Sequence, residues 1–568
     1  MLTRTKKRVV LIAPLAVVAV VLSACGSSKK AATTGTTPSG SAAASGGIGV
    51  WAPQKVQQGG SMVATVEKDP SDFNITTSQG NTFDTAQYMN GIFPAVFQVD
   101  QNINVFLNNE LMDSATLTSQ SPETVVYKIK ANAVWSDGVP ISADDFIYTN
   151  QVQNGKNTKY TPASTTGYED VASVTGSDNG KTVTVVFAKP FADWKSLFGY
   201  LLPAHYMKTL NADPVKAYNE GMLAPHYPKI SGGPYVITDY KSNDHVTLVR
   251  NAKYYGPLTP LDTLTFKIIT DSTQEPTALQ NNEVNYIYPQ PEIDLIKQVD
   301  QIPDVTTNVG FGLVFEHFDL NLGNKFLKDK ALRQAILTAT DVPGIVAATV
   351  KQFSDKSQPL GNRMLVQGQP GYQDNSGTYG KADVAGAKAI LQKAGYTGIG
   401  TALTTPDGTK VAALRFRYTT GNQIRQQEGE LLKETLAQLG VTLNIVPTDD
   451  LGGTLSKKDF DVIVFAWVGT PFPFSANKAL YVTNGDSNYD NYSNPVVDQA
   501  LGDAAQQLDT QKAIADLNTA DKQLYDDAVT LPLYQKATYL AFDKKFGNIE
   551  NNSTSVGPTW NVGHWGIL

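Results

Sequence analysis

Cysteine is all but missing: one, Cys25, stands in 568 residues. The chain therefore has no intramolecular disulfide and no cysteine-based metal cluster available to it. Histidine is sparse as well. His205, His226, His245, His317 and His564 are scattered, with no paired spacing and no glutamate-bearing zinc signature, so no metal and no other cofactor is expected. No Gly-x-Ser-x-Gly elbow occurs, and no cysteine in the body could partner a histidine as nucleophile. The chain reads as a binder and not as an enzyme. A basic surface is also missing. The balance is 46 basic against 53 acidic side chains, a net charge of -7, which excludes nucleic acid as a partner because phosphate binding needs the opposite sign. Beyond Leu22 no segment reaches the length of apolar chain that spans a bilayer.

What is present begins with a leader. Arg4, Lys6, Lys7 and Arg8 precede an apolar run, Val9 to Leu22, that no acidic residue interrupts. This is the layout of an export signal, and at about fourteen residues it falls short of the roughly twenty that a transmembrane helix needs. Leu22-Ser23-Ala24-Cys25-Gly26 resembles a bacterial lipobox. The resemblance implies lipidation of Cys25 and a mature protein anchored to the cell membrane on its extracytoplasmic face. Residues 1–25 are thus expected to be a lipoprotein signal peptide. Residues 26–54, rich in Ser, Ala, Gly and Thr, are expected to be a disordered tether, since they hold too little apolar surface to fold.

The body interleaves two periodicities. Ser61–Val66, Thr124–Ile129, Thr182–Phe187 and His245–Val249 alternate at period two and predict strands. Asp329–Ala339, Asp383–Ala394, Gln423–Leu439 and Asp498–Asp527 repeat apolar residues at helical spacing, and strands are expected over Val441–Val446 and Leu531–Phe542. Gly440 stands where a helix C-cap would be. A mixed α/β fold follows. Two chemical motifs dissolve on inspection. Gly176 to Thr182 is like a phosphate loop but lacks one residue between its glycines, and Asp178-Asn179-Gly180 reads as a hairpin turn. Asp100, Asn102 and Asn104 start like a calcium loop, yet Val105 and Leu111 stand where a glycine and a bidentate glutamate belong.

A series of motifs runs in order through the body: Trp135-Ser136-Asp137-Gly138 leading to Ser142 as a helix cap, Leu202-Pro203-Ala204-His205, Ser231-Gly232-Gly233-Pro234-Tyr235, Arg250-Asn251-Ala252-Lys253-Tyr254-Tyr255-Gly256, Leu332-Arg333-Gln334-Ala335, Ala389 to Tyr396, and Asn488 to Asp498. Together they resemble the family 5 extracellular solute-binding proteins, the oligopeptide-, dipeptide- and nickel-binding group. The resemblance implies a two-lobed, periplasmic-binding-protein-like fold with an extra subdomain in the first lobe, closing on its ligand about a two-strand hinge. The first lobe is expected over 55–310 with its subdomain near 85–225, the second over 311–533, and the return to the first over 534–568. Hinge crossings are expected near Gly310–Asn321 and Leu531–Leu540, with Arg333 as an ion partner on a helix surface.

The same resemblance implies capture of a peptide-like solute, as a monomer, for ABC permease and ATPase subunits. An alternative is a lipoprotein of the same fold that regulates envelope or lipoglycan assembly through a glycan or glycolipid. Ligand contacts are expected from Phe73, Asn74, His317, Trp467, Gly469, Thr470, Phe472 and Tyr489. Peptide binders of the family place an Asp two or three residues after the Trp to receive the amino terminus, and here that position is Thr470. Where dipeptide binders hold the carboxylate with an Arg, this chain has Thr419 or Thr420, with Arg425 the nearest substitute. A hydroxyl accepts a hydrogen bond but supplies no charge.

Overall fold

The computed structural model describes residues 53–568. The leader, Cys25 and all but the last two residues of the expected tether lie outside the described residues. In chain order the strands that organise the molecule are β1 (Ser61–Val66), β2 (Met112–Gln120), β3 (Glu123–Ile129), β4 (Val171–Ser177), β5 (Thr182–Phe187), β6 (Tyr235–Lys241), β7 (His245–Arg250), β8 (Thr263–Ile268), β9 (Tyr286–Ile287), β10 (Val305–Leu320), β11 (Leu414–Thr419), β12 (Leu443–Thr448), β13 (Val462–Val468) and β14 (Thr530–Asp543).

Ten of these form one sheet in the order β12-β11-β13-β10-β14-β9-β1-β8-β7-β6, while β2-β3-β5-β4 make a separate antiparallel sheet. The strands foreseen from period-two alternation all occur. Asp178, Asn179 and Gly180 take positive φ angles between β4 and β5, as a hairpin turn requires. Asp100 accepts from the backbone N–H groups of Asn102 and Asn104, both at 2.8 Å, in a polar turn.

The large sheet has two halves, each with parallel strands at its centre: β1 runs parallel to β8 and β9 in one, β11 parallel to β12 and β13 in the other. Among the described residues only β10 and β14 belong to both. They pair antiparallel from Val305↔Asp543 to Asp319↔Thr530, and the register slips between Phe311 and Phe315, where the pair passes from one half to the other. Gly312 sits at that slip. A Cβ there would lie 1.8 Å from the Ser553 carbonyl oxygen, so only glycine lets the strand pass this close to the C-terminal segment. The Gly310–Asn321 and Leu531–Leu540 segments fall largely within these two strands.

Each half has its own core. Around the small sheet and β1, Trp135, Tyr127, Phe146 and Phe198 are fully buried; around β11, Phe318, Phe416, Leu432 and Leu436 are. Helix α1 (Ala143–Gln153) begins with a capping box in which Ser142 and Asp145 exchange hydrogen bonds, and Asp145 also accepts from the Trp135 indole at 3.2 Å. Helix α2 (Lys330–Ala339) carries Arg333 inward instead of on a surface. The guanidinium is buried and donates to the carbonyls of Leu327, Lys328, Asp527 and Ala528, binding a chain reversal by hydrogen bonds and not by an ion pair. Helix α3 (Gln423–Ala437) follows β11. The helical run foreseen over Asp498–Asp527 is two helices, α4 (Pro495–Gln506) and α5 (Thr510–Asp526), because Asp509 turns its carboxylate back onto the N–H groups of Gln511 and Lys512 and starts a new helix. Among the described residues no helix is long and apolar enough to cross a membrane.

Candidate functional site

Side chains of a strand alternate between its two faces, so β10 and β14 present different chemistry on each side where they cross. Glu316 stands opposite Tyr534 on one face. Phe315 and His317 stand on the other, opposite Trp467 and Phe465 of β13.

The first face is charged. Glu316 is almost entirely buried, accepts from the Arg425 guanidinium, and has the Lys536 ammonium 3.7 Å away. Burial opposes ionisation of this carboxyl, but the charges of Lys536 and Arg425 outweigh it and hold the group below the usual range. Arg425 lies in the first turn of α3, where the helix dipole disfavours a cation. Glu316 supplies the missing compensation. The Arg425 guanidinium also donates to the Thr419 hydroxyl at 2.9 Å, so the candidate substitute for a carboxylate clamp is already engaged within the fold. One turn further along α3, burial and then the Glu316 charge push the Glu428 carboxyl well above its ordinary value, and the Tyr534 phenol donates to it.

A cavity of about 710 Å³ opens over this face. Glu316, Tyr534 and Lys536 belong to the crossing strands, Gln290 to Asp294 come from the half that holds β1, and Gly421 to Arg425 from the half that holds β11. Both halves therefore wall one space.

The second face is aromatic. Trp467 stacks on His317 with centroids 5.9 Å apart and planes 8° apart, and on Tyr489 at 5.9 Å and 14°, while Phe465 meets it edge-on at 4.9 Å. The His317 Nδ1 lies 2.8 Å from Asp319, and burial pushes the imidazole down to about 3, so the ring is neutral. The loop after β13 is fixed at its start: the Gly469 N–H donates to the Leu313 carbonyl at 2.9 Å, and the Thr470 hydroxyl accepts from the Phe472 N–H at 3.2 Å. Three residues on, the two halves touch. The Asp193 carboxylate, buried beside the small sheet, accepts from both the N–H and the hydroxyl of Ser475 at 2.7 Å, and burial pushes its carboxyl up to about 6. The Ala192 N–H donates to the Ala505 carbonyl at 2.9 Å.

Of the residues foreseen as ligand contacts, His317, Trp467 and Tyr489 meet in one stack, and Gly469, Thr470 and Phe472 form the half-buried loop beside it. Phe73 and Asn74 lie elsewhere, with no exposed surface. Phe73 packs against Tyr88, Tyr227 and Tyr240, and the Asn74 amide donates to the Tyr218 carbonyl at 2.9 Å. Glu316, Lys536 and Gln290 were not foreseen. Glu316 carried a signal, a lone glutamate inside the apolar alternation of Leu313 to Leu320.

The family model for bacterial extracellular solute-binding proteins, family 5, matches residues 107–490. The oligopeptide-binding protein OppA of Mycobacterium tuberculosis is 31% identical over 510 residues, 87% of this chain and 83% of that protein. The probable monoacyl phosphatidylinositol tetramannoside-binding protein LpqW of the same species is 28% identical over 306 residues, 53% of this chain and 46% of that one. Among solved structures, the periplasmic EDTA-binding protein EppA superposes with a TM-score of 0.85 at 32% identity, covering 91% of this chain and 98% of its own. AppA from Bacillus subtilis, in complex with a nonapeptide, superposes at 0.69 and 21%, covering 90% and 100%, and shares the two-lobed fold. This chain belongs to the family 5 bacterial extracellular solute-binding proteins.

Proposed function

We propose that the protein captures a peptide-like solute between its two halves and delivers it to the permease and ATPase subunits of an ABC importer, as a monomer held to the outer face of the cell membrane through lipidated Cys25. The observation that carries this reading is the cavity of about 710 Å³ walled by both halves of a sheet that β10 and β14 join. Its volume is that of a site for a small ligand, a few hundred to about 1,000 Å³. Two strands form a hinge about which such halves open and close. The lobes are taken as 55–310 with 534–568, carrying a subdomain near 85–225, and 311–533.

The OppA likeness supports a peptide as the solute. Thr470 and the engaged Arg425 argue that the peptide is gripped along its length and not by charged clamps at its two ends. Trp467 and Phe472 form a second contact region on the other face of the crossing strands. A chain that only binds needs no catalytic group, and the reading assigns none. The partial likeness to LpqW supports a second reading, a regulator of envelope assembly that holds a glycolipid headgroup in the same cavity.

The test is X-ray scattering of residues 53–568 with and without a pool of random pentapeptides. Capture predicts that the pool shrinks the radius of gyration of any open form and that a mannose-oligosaccharide pool does not. Contraction with the oligosaccharides alone would replace the first reading by the second.

A further inference from the structure

Gln290 lines a second cavity as well, of about 150 Å³, at the carboxyl end of β1. Glu67, Asp84 and Glu275 all stand on its wall, with Thr65, Phe83 and Tyr288. Asp84 is occupied: its carboxylate accepts from the backbone N–H groups of Glu67 at 2.8 Å and Lys68 at 3.1 Å. Glu275 is not. It is 1% exposed, and among the described residues neither of its carboxylate oxygens has a hydrogen-bond partner of normal geometry; the Thr65 hydroxyl is close enough to act on it only weakly. Buried carboxylates are ordinarily paired. The one basic side chain on the wall, Lys68, is solvent-exposed.

The rest of the wall suits a cation of a particular kind. Phe83 and Tyr288 stack with centroids 5.7 Å apart and planes 19° apart, and Phe83 is 40% exposed, so an aromatic surface borders the carboxylates. No group of three His, Cys, Asp or Glu among the described residues is placed to hold a metal ion. An ammonium or guanidinium needs acceptors and π faces, not a coordination shell.

We propose that this cavity is a subsite for an organic cation on the captured solute, an ammonium or guanidinium group, with Glu275 as its counter-ion and Glu67 and the Phe83–Tyr288 pair as its walls. The proposal rests on the reading of solute capture between the two halves and names a chemical class for that solute. It also gives a place to charge recognition that Thr470 does not provide. Burial pushes the Glu275 carboxyl up to about 8, with Glu67 and Asp84 acting in the same direction and Thr65 offsetting them only in part. The phenols of Tyr286 and Tyr288 and the exposed Lys68 are the other titratable groups on this wall. At pH 7 Glu275 therefore holds a proton in the absence of a cation. An arriving ammonium stabilises the carboxylate, the proton leaves to solvent, and an ion pair replaces the O–H bond.

The test is titration calorimetry at pH 7, in two buffers of different ionisation enthalpy, with four probes: Ala-Ala-Lys-Ala-Ala, its Nα-acetylated form, Nα-acetyl-Ala-Ala-Gln-Ala-Ala and arginine amide. The unacetylated lysine peptide is expected to bind about 30-fold more tightly than the glutamine peptide, with release of a proton, and Glu275→Gln is expected to abolish both the preference and the release. Acetylation separates the sources: a loss on acetylation assigns the subsite to the amino terminus, no loss to the lysine side chain. Equal binding of all three peptides, with no proton release, overturns the cation subsite and leaves peptide capture standing. Binding of arginine amide alone, lost in Glu275→Gln, upholds the subsite and overturns the peptide reading. If none of the probes binds the unsubstituted protein, both fall. Should Glu275→Gln melt far below it, the proton count of the unsubstituted protein still decides the question.

Discussion

The two faces of the crossing strands solve different problems with neighbouring residues of one strand. On the charged face Arg425 and Lys536 both pair with Glu316 beneath a large cavity. On the aromatic face Phe465, Trp467 and Tyr489 pack with a neutral His317 whose Nδ1 is in hydrogen-bond contact with Asp319. A buried ion pair contributes little net stability against apolar packing, but losing one partner is costly. An aromatic stack contributes by area and fails gradually. The charged face is therefore brittle and fixes how the strands cross, whereas the aromatic face tolerates change.

That contrast can be broken by substitution. Arg425→Ala leaves Glu316 with Lys536 alone and is expected to cost about 3 kcal/mol of stability, measured by urea unfolding at pH 7. Adding Glu316→Gln should restore part of it, because the uncompensated charge goes with it. Trp467→Ala should cost less stability, about 2 kcal/mol, since the ring is half-exposed. Its larger effect should be on solute affinity, about tenfold or more by calorimetry. If Arg425→Ala proves the milder of the two in unfolding, the contrast is wrong.

Thr470→Asp sharpens the comparison from the other direction by placing a carboxylate beside the aromatic stack. A preference of about tenfold for peptides with a free amino terminus over their acetylated forms should appear, as a charge-assisted hydrogen bond predicts. Equal affinities would show that the Gly469–Phe472 loop does not face the solute.

The smallest effect concerns pH. Asp193 bridges the halves through Ser475, and burial there pushes its carboxyl up to about 6, above the range it returns to when the contact is open. In the proposed capture, closure then takes up a proton. Its contribution to the closed form is full below about pH 4 and fades as pH rises through 6. The radius of gyration should fall by a few per cent as pH is lowered from 7 to 5, and Asp193→Asn should remove that dependence.

The architecture was largely legible in the sequence, and for a physical reason. Period-two and helical patterns are written locally, so β1, β3, β5, β7 and α3 follow from spacing, and Ser142 announces its own cap. The break between α4 and α5 was missed because the apolar stripe continues through Gln507–Asp509, and only the Asp509 cap betrays it. The aromatic candidates gathered because His317 and Trp467 lie on paired strands whose register brings them together. Phe73 and Asn74 follow the first strand closely in sequence, but their loop folds back onto Tyr218 and Tyr240. Most of the charged groups were illegible for another reason. Glu67, Glu275 and Lys536 come from three distant segments, and ordinary strand ends and helix starts carry glutamates everywhere; only its missing hydrogen bonds of normal geometry set Glu275 apart, whereas Glu316 showed inside its strand pattern.

The central claim is that the molecule holds a peptide-like solute between its halves. A thermal-shift measurement on residues 53–568 with the random pentapeptide pool tests it most directly, because a ligand that binds only the folded state must stabilise it, by about 2.7 kcal/mol at a hundredfold excess over its dissociation constant. The account predicts a melting temperature that rises with peptide concentration and a smaller rise for Trp467→Ala. A transition that peptides leave unmoved, while a mannose-bearing headgroup raises it, would contradict the account.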